Sequence, residues 1–409
     1  MTDRFVVIGG SLAGLRAAQA ARRAGFDGAL TMISGEPHLP YDRPPLSKDY
    51  LNAGEDDPTT PIFRTEEELR EELDLDLRPN TRASGLTDEG QLIAATGPQG
   101  QYELEYRYLV IATGAHARTL PGAEHLTGVH TLRTLDDAVA VREALDRKAR
   151  TVVVGAGFIG SEVASGARKR GLDVTVLEAL PVPLVRSVGE DMGRACAALH
   201  RTHGTDLRCG VKVTGLHGDD GAVTGVKLDD GTTIDADLVV VGTGVTPSTG
   251  WLAGSGVRLH ERDQGIVCDQ TLWTGVPGVY AAGDVAHFPH PLFEHTLMRL
   301  EHWTNAAEQG ALAAKNVLNP TQAKPATAVP YFWSDWYDSR IQFVGIPQAE
   351  EIRVVSEELG EPKFLALYRR GDRITGAITI DRPTQIMKYR RLIAQSTPWP
   401  EALTFAGVS

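Results

Sequence analysis

Two stretches of this chain carry the same pattern, and a chain that writes it twice has few folds open to it. The first, RFVVIGGSLAGLRAAQAARRAGFDGALTMISGE, runs from Arg4 to Glu36. The second, TVVVGAGFIGSEVASGARKRGLDVTVLE, runs from Thr151 to Glu178. Each reads as an apolar strand, a glycine-rich turn, an alanine-rich helix, a glycine stop and a second strand leading to an acid. Parallel strands need a crossover element between them, so each copy is a βαβ unit. Two copies predict an α/β protein with two Rossmann-like dinucleotide-binding domains.

In the second copy Gly155, Gly157 and Gly160 match G-x-G-x-x-G around Phe158 and Ile159. The first glycine permits the tight turn, the second lets backbone approach a pyrophosphate, and the third lets helix and strand pack closely. The helix start then offers free N–H groups and the positive end of its dipole to phosphate. Glu178 lies 18 residues after Gly160, where a carboxylate accepts both ribose hydroxyls, and no basic residue follows it in EALPVPL. A 2′-phosphate would meet negative charge there, which favours NADH over NADPH.

The first copy reads Gly9, Gly10, Ser11, Leu12, Ala13, Gly14, with serine in place of the second glycine. Serine is the smallest substitute, and its hydroxyl can itself donate to phosphate. Glu36 follows Gly14 by 22 residues and is placed to serve a ribose, with Gly35 blurring the acid position by one residue. Later segments complete this copy. YRYLVIATGA is an apolar strand ending at Ala112, Thr113 and Gly114, and PGVYAAGDVAHF opens into Gly283 and Asp284. An aspartate after small residues at a strand end can bond a ribityl chain, although Gly-Asp alone also marks a simple turn. Together these features predict FAD in the first unit and NADH in the second.

The expected domains are an FAD-binding domain in two segments, 1–114 and 241–320, an inserted NADH-binding domain, 115–240, and a C-terminal domain, 321–409. The last follows the proline-rich linker NPTQAKPATAVP. Its runs IQFVGI, FLALYRR and ITGAITI predict an α+β domain with a small antiparallel sheet. NAAEQGALAAKNVL predicts a helix capped by Asn305.

Composition narrows the function. A net charge of −12 argues against general binding of nucleic acid. No apolar run is long enough to span a membrane, and MTDRFVVIGG enters its first strand too quickly for a signal-peptide core. The three cysteines, Cys196, Cys209 and Cys268, are too scattered for a disulfide framework, a Cys-rich metal site or a redox pair beside a flavin. A cytoplasmic protein is expected. Residues 321–409 hold 11 basic and 10 acidic side chains, so this nearly neutral segment sits on a body of net −13. Chance variation or a docking face for an acidic partner would each produce that.

The stretches YDRPPLSKDYL (Tyr41–Leu51), RTLDDA, AAGDVAHF, EHWTNAAEQ and FWSDWY add specificity. With them the chain resembles the oxygenase-coupled NADH-dependent ferredoxin reductases from Arg4 to about Arg391. The resemblance implies flavin contacts at Ala13, Arg43, Lys48, Ala83, Arg133, Asp284 and Trp303. It implies Lys48 near the reactive edge of the flavin, held by the stiff backbone at Pro44 and Pro45. Glu162 would lie near the nicotinamide, or serve only as a carboxylate in a first helical turn. Arg186 would hold NADH phosphates or ribose, or be a surface cation, and Gly244 would line the nicotinamide pocket. The implied partner is a [2Fe–2S] ferredoxin feeding a cytochrome P-450 or Rieske oxygenase. YRRGDR, MKYRRL and the aromatic residues of YFWSDWY are candidates for its docking face. A rubredoxin- or nitrite-reductase-linked flavoprotein is the alternative. A more distant one is an NADH-sensing binding protein like apoptosis-inducing factor.

Overall fold

The computed structural model describes residues 3–52, 58–87, 91–356 and 363–408. The chain divides into two compact units. One comprises Met1–Asp42, Pro61–His116 and Thr246–Pro330; the other comprises Arg43–Thr60, Ala117–Val245 and Tyr331–Ser409.

The first unit is built on a parallel sheet ordered Val279–Ala281, Tyr108–Ile111, Arg4–Ile8, Ala29–Ile33, Leu75–Arg78. Its chain order reverses direction about Arg4–Ile8, which is the switch point where doubly wound sheets bind ligands. The helix Leu12–Arg23 explains its own alanine content. Ala17, Ala18 and Ala21 are fully buried, and short side chains let the helix Trp303–Leu318 approach closely. A Cβ at Gly310 of that helix would lie 2.1 Å from the Ala13 carbonyl oxygen, so only glycine fits the crossing. The unit also holds a three-stranded antiparallel sheet, Arg82–Thr87, Leu92–Gly97 and Gly100–Glu105, and a second three-stranded sheet, Ile266–Val267, Ala286–His290 and Thr296–Arg299.

The second unit repeats the parallel plan as Asp206–Cys209, Val174–Glu178, Thr151–Val154, Leu238–Val241, Val129–His130. Thr151–Val154 is buried along its whole length, as expected of a strand with both faces covered. The C-terminal sheet is antiparallel and five-stranded, ordered Tyr331–Trp336, Ser339–Gly345, Arg373–Ile380, Phe364–Arg370, Glu351–Ser356. Its Phe332, Phe343, Ala366 and Ile378 pack with Leu184, Val188, Met192 and Cys196 in one core. The fold is thus the expected α/β architecture with a small antiparallel sheet at its end.

The sequence placed one helix start too late. The helix begins at Trp303 with His302 as N-cap, and Asn305 is not the cap. Its side-chain amide instead donates to the Leu300 carbonyl at 3.1 Å, closing the turn that leads into the helix.

Candidate functional site

Each unit presents its own constellation. In the first, Gly9 takes φ +124°, and a Cβ there would sit 2.0 Å from the carbonyl oxygen of Ala112. That close approach draws the Gly9–Gly14 turn against Ala112, Thr113 and Gly114. Gly14 is equally confined, since its Cβ would lie 1.9 Å from the Gly9 carbonyl oxygen. Ser11 has φ −103° and ψ −167°. Any residue adopts that extended backbone, so serine replaces glycine there without strain. Ser11 is the N-cap of a 12-residue helix that opens with Leu12 and Ala13.

Gly283 and Asp284 reach the same place from the far edge of the sheet. The Gly283 amide donates to Gln309 Oε1 at 2.9 Å, and a Cβ at Gly283 would lie 3.1 Å from that of Ala13. Arg299 Nη1 donates to the Asp284 carbonyl at 2.8 Å. Trp303 Nε1 donates to Asp42 Oδ1 at 2.7 Å, and Tyr41 donates to Glu36 Oε2 at 2.5 Å. Ala83 lies in the antiparallel sheet opposite Ala95. Its neighbour Arg82 brings its guanidinium to 3.4 Å from where a Gly35 Cβ would be.

These residues fit FAD. The turn is closed by glycines that leave no room for side chains, and the helix start carries no side-chain cap. Two buried polar atoms beside it, Thr113 Oγ1 and Gln309 Nε2, have no hydrogen-bond partner. Buried polar groups are otherwise nearly always paired, so a polar ligand here would satisfy groups the protein leaves open.

In the second unit Gly155 has φ +103°, and its Cβ would lie 2.5 Å from the Gly242 carbonyl oxygen. A Cβ on Gly160 would lie 2.1 Å from the Gly155 carbonyl oxygen. Gly157 has more room, its Cβ 3.7 Å from the nearest atom, the Gly242 carbonyl oxygen, and it is the N-cap of Phe158–Lys169. Phe158 points into the core against Phe332, ring centroids 4.7 Å apart, while Ile159 is exposed. Glu178 ends its strand with Oε2 accepting from the Ala156 amide and Oε1 from the Leu180 amide, both at 2.8 Å. Those bonds fix the carboxylate beside the turn and leave lone pairs for a ribose. Arg186 is an exposed residue of the short helix Val185–Val188. Gly244, with φ +105°, faces open space.

The stretch YDRPPLSKDYL has a definite anchorage in this unit from Arg43 onward. Arg43 Nη1 donates to the Arg133 carbonyl at 2.6 Å. Pro44–Ser47 forms a single 3-10 turn. Arg170 Nη2 donates to the Leu51 carbonyl at 2.5 Å. Between these anchors Lys48 Nζ lies 2.7 Å from Glu162 Oε1. Ser334 Oγ donates to the same oxygen at 2.5 Å, the Asp335 amide reaches it at 3.3 Å, and Ser47 Oγ donates to Oε2. Glu162 is therefore a buried carboxylate with a cation and three other donors. The sequence singled out Lys48 and Glu162 separately and missed both their pairing and the two serines. Ser47 and Ser334 stood within quoted motifs, but nothing in their spacing pointed at a helix more than 100 residues away from each.

The docking candidates fare unevenly. Tyr331, Phe332, Trp336 and Tyr337 are buried, and so is Tyr368 of YRRGDR, whose hydroxyl donates to the Val188 carbonyl at 2.5 Å. They serve the core and cannot face a partner. Trp333 is partly exposed, with the Arg340 guanidinium 5.8 Å from its ring centroid. Lys388 and Arg391 of MKYRRL are exposed.

Comparison with known proteins gives the same pattern along the whole chain. The family described as pyridine nucleotide-disulphide oxidoreductase matches residues 3–310, and a second family, described as reductase C-terminal, matches 331–405. Rhodocoxin reductase of Rhodococcus erythropolis is 36% identical over 96% of this chain and 90% of its own. The ferredoxin reductase for the CYP199A2 system of Rhodopseudomonas palustris superposes with a TM-score of 0.89 at 33% identity, covering 97% of this chain and 96% of that one. The putidaredoxin reductase in its covalent complex with putidaredoxin gives 0.89 at 32% identity, covering 97% and 94%.

Proposed function

The chain belongs to the pyridine nucleotide-disulphide oxidoreductase family, and on that premise we propose that it is an NADH:ferredoxin reductase with FAD as its cofactor. FAD, when bound, supplies the change from two-electron to one-electron chemistry, taking hydride from NADH and releasing electrons singly. The chain's part is to bind, orient and tune. The Gly9–Gly14 turn and Glu36 are the proposed hold on FAD, with Thr113 and Asp284 beside them. The Gly155–Gly160 turn and Glu178 are the proposed hold on NADH. Lys48 is the proposed cation at the flavin's reactive edge, with Glu162 as its anchor.

One observation separates this reading from the dithiol chemistry in the family's name. Cys196, Cys209 and Cys268 are all free, and Cys196 and Cys268 are buried. Burial pushes the Cys196 thiol up to about 12, so it is not a thiolate at neutral pH. No cysteine pair is there to accept electrons, and an external carrier must. Relatives named as rhodocoxin reductase and as the ferredoxin reductase for the CYP199A2 system support a [2Fe–2S] ferredoxin in an oxygenase system as that carrier. The free thiols support a cytoplasmic setting. Among the described residues no helix is long and apolar enough to cross a membrane.

The test is NADH-driven cytochrome c reduction with and without an added panel of [2Fe–2S] ferredoxins. Stimulation by at least one ferredoxin is expected, and NADH oxidation that no ferredoxin stimulates would refute the reading.

A further inference from the structure

A side-chain cluster that the redox chemistry does not use lies in the first unit. The imidazoles of His260 and His287 stack with centroids 4.3 Å apart and planes 19° apart. Both bring a nitrogen close to Asp263, His287 through hydrogen bonds and His260 Nδ1 without one. His260 Nδ1 is 3.2 Å from Oδ1, and His287 Nε2 is 2.9 Å from the same oxygen and 3.1 Å from Oδ2. One nitrogen from each ring and one carboxylate oxygen all lie within 4.8 Å of one another.

The surroundings hold these groups in place. A Cβ on Gly265 would lie 2.6 Å from His287 Cδ2, so the backbone closes directly over that ring. Arg299 Nε donates to Asp263 Oδ2 at 2.8 Å and its Nη1 lies 2.8 Å from Glu301. Asp263 and Glu301 carry two negative charges against the one positive charge of Arg299, which leaves the cluster net negative when both imidazoles are neutral. His287 is buried, while His260 and Asp263 are partly exposed, so one side of the cluster opens to solvent.

Two imidazole nitrogens and a carboxylate oxygen gathered within 4.8 Å of one another, with one side open, are the donor set of a three-residue zinc site completed by water. Arg299 then plays the part of the outer partner that orients a ligating carboxylate. A purely structural cluster of two histidines on one aspartate needs no open side and no net charge. We propose that His260, Asp263 and His287 bind one divalent transition-metal ion of the zinc class. Imidazole and carboxylate donors select such ions over the hard cations that prefer all-oxygen sites. Because Arg299 also donates to the Asp284 carbonyl, the ion would sit one residue removed from the Gly283–Asp284 turn.

The test uses the tag-free flavoprotein, freed of metal by a chelator and titrated with Co²⁺. Expected are one ion per chain, the visible absorption of four-coordinate Co²⁺ beyond the flavin band, and displacement by Zn²⁺. His260→Gln and Asp263→Asn should each weaken the affinity by about tenfold or more. His260 is partly exposed, so the first variant should keep its flavin content and melting temperature. Absence of the four-coordinate band in the wild-type protein overturns the proposal without any variant. So does binding of equal affinity in wild type and both variants.

Discussion

Lys48 Nζ and Glu162 Oε1 are 2.7 Å apart, with the glutamate side chain only 2% exposed. The charge of a carboxylate so buried is costly unless a cation and donors face it, as Lys48, Ser334, Ser47 and the Asp335 amide do here. Lys48→Met removes the cation and leaves that charge uncompensated. The expected loss of stability is about 3–5 kcal/mol, read from denaturant unfolding of the flavoprotein. Adding Glu162→Gln should restore most of it, because a neutral amide needs no counter-ion. Equal stability of wild type and Lys48→Met would show that the pair is not formed.

Ser334 accepts from Trp336 Nε1 at 2.9 Å while donating to Glu162. Ser334→Ala removes both bonds from a fully buried position. A hydrogen bond to a charged group contributes about 1.5–3 kcal/mol, so a loss of at least about 2 kcal/mol is expected. The same unfolding assay measures it, and Ser334→Thr, which keeps the hydroxyl, should lose less.

The two glycine-rich turns make opposite predictions at superficially similar places. Gly160→Ala would put a methyl 2.1 Å from the Gly155 carbonyl oxygen. The turn must open, so KM for NADH should rise by an order of magnitude or more while FAD stays bound. Ser11→Gly should leave FAD affinity within a few-fold, because Ser11 already has an extended backbone. Flavin fluorescence titrations and steady-state kinetics distinguish these outcomes.

His200 supplies a pH dependence. It is fully buried, with Nδ1 2.7 Å from the Tyr337 hydroxyl and Nε2 3.1 Å from Ser161 Oγ. Burial, its main cause, pushes the imidazole down to about 4 from an ordinary value of 6.5. Between those values the unfolded chain takes a proton that the folded one refuses. The stabilisation is complete above pH 6.5 and is lost as pH falls toward 4, on the order of 3 kcal/mol in all. His200→Gln should flatten this acid limb in unfolding curves taken across the window. His302, also pushed down to about 4 by burial, leaves a parallel slope in the variant.

The parallel sheets and their turns were legible in the sequence because their signals are local. Gly9, Gly14, Gly155 and Gly160 are glycines for reasons settled within one βαβ unit. The C-terminal strands were legible from their apolar runs. What stayed hidden depends on residues far apart in the chain. Ser47, Glu162 and Ser334 meet only after the fold brings three segments together, and Gly310 is explained only by Ala13 of another helix. Four aromatic residues of YFWSDWY, a docking candidate, are buried while Trp333 is partly exposed, because alternation shows only which residues share a face of a strand. It does not show that both faces are covered. Helix Pro383–Ala394 and the core around Met192 are included in the same unit as that sheet.

On the function proposed above, electrons leave the flavin for a ferredoxin. The direct measurement is anaerobic stopped-flow spectroscopy of the NADH-reduced protein mixed with an oxidised [2Fe–2S] ferredoxin, at increasing ionic strength. Charge-steered docking predicts bleaching of the ferredoxin at a rate that rises with its concentration and falls steeply as salt is added. A flavin that NADH reduces fully but that no ferredoxin of the panel reoxidises, at any salt concentration, would rule out this electron path.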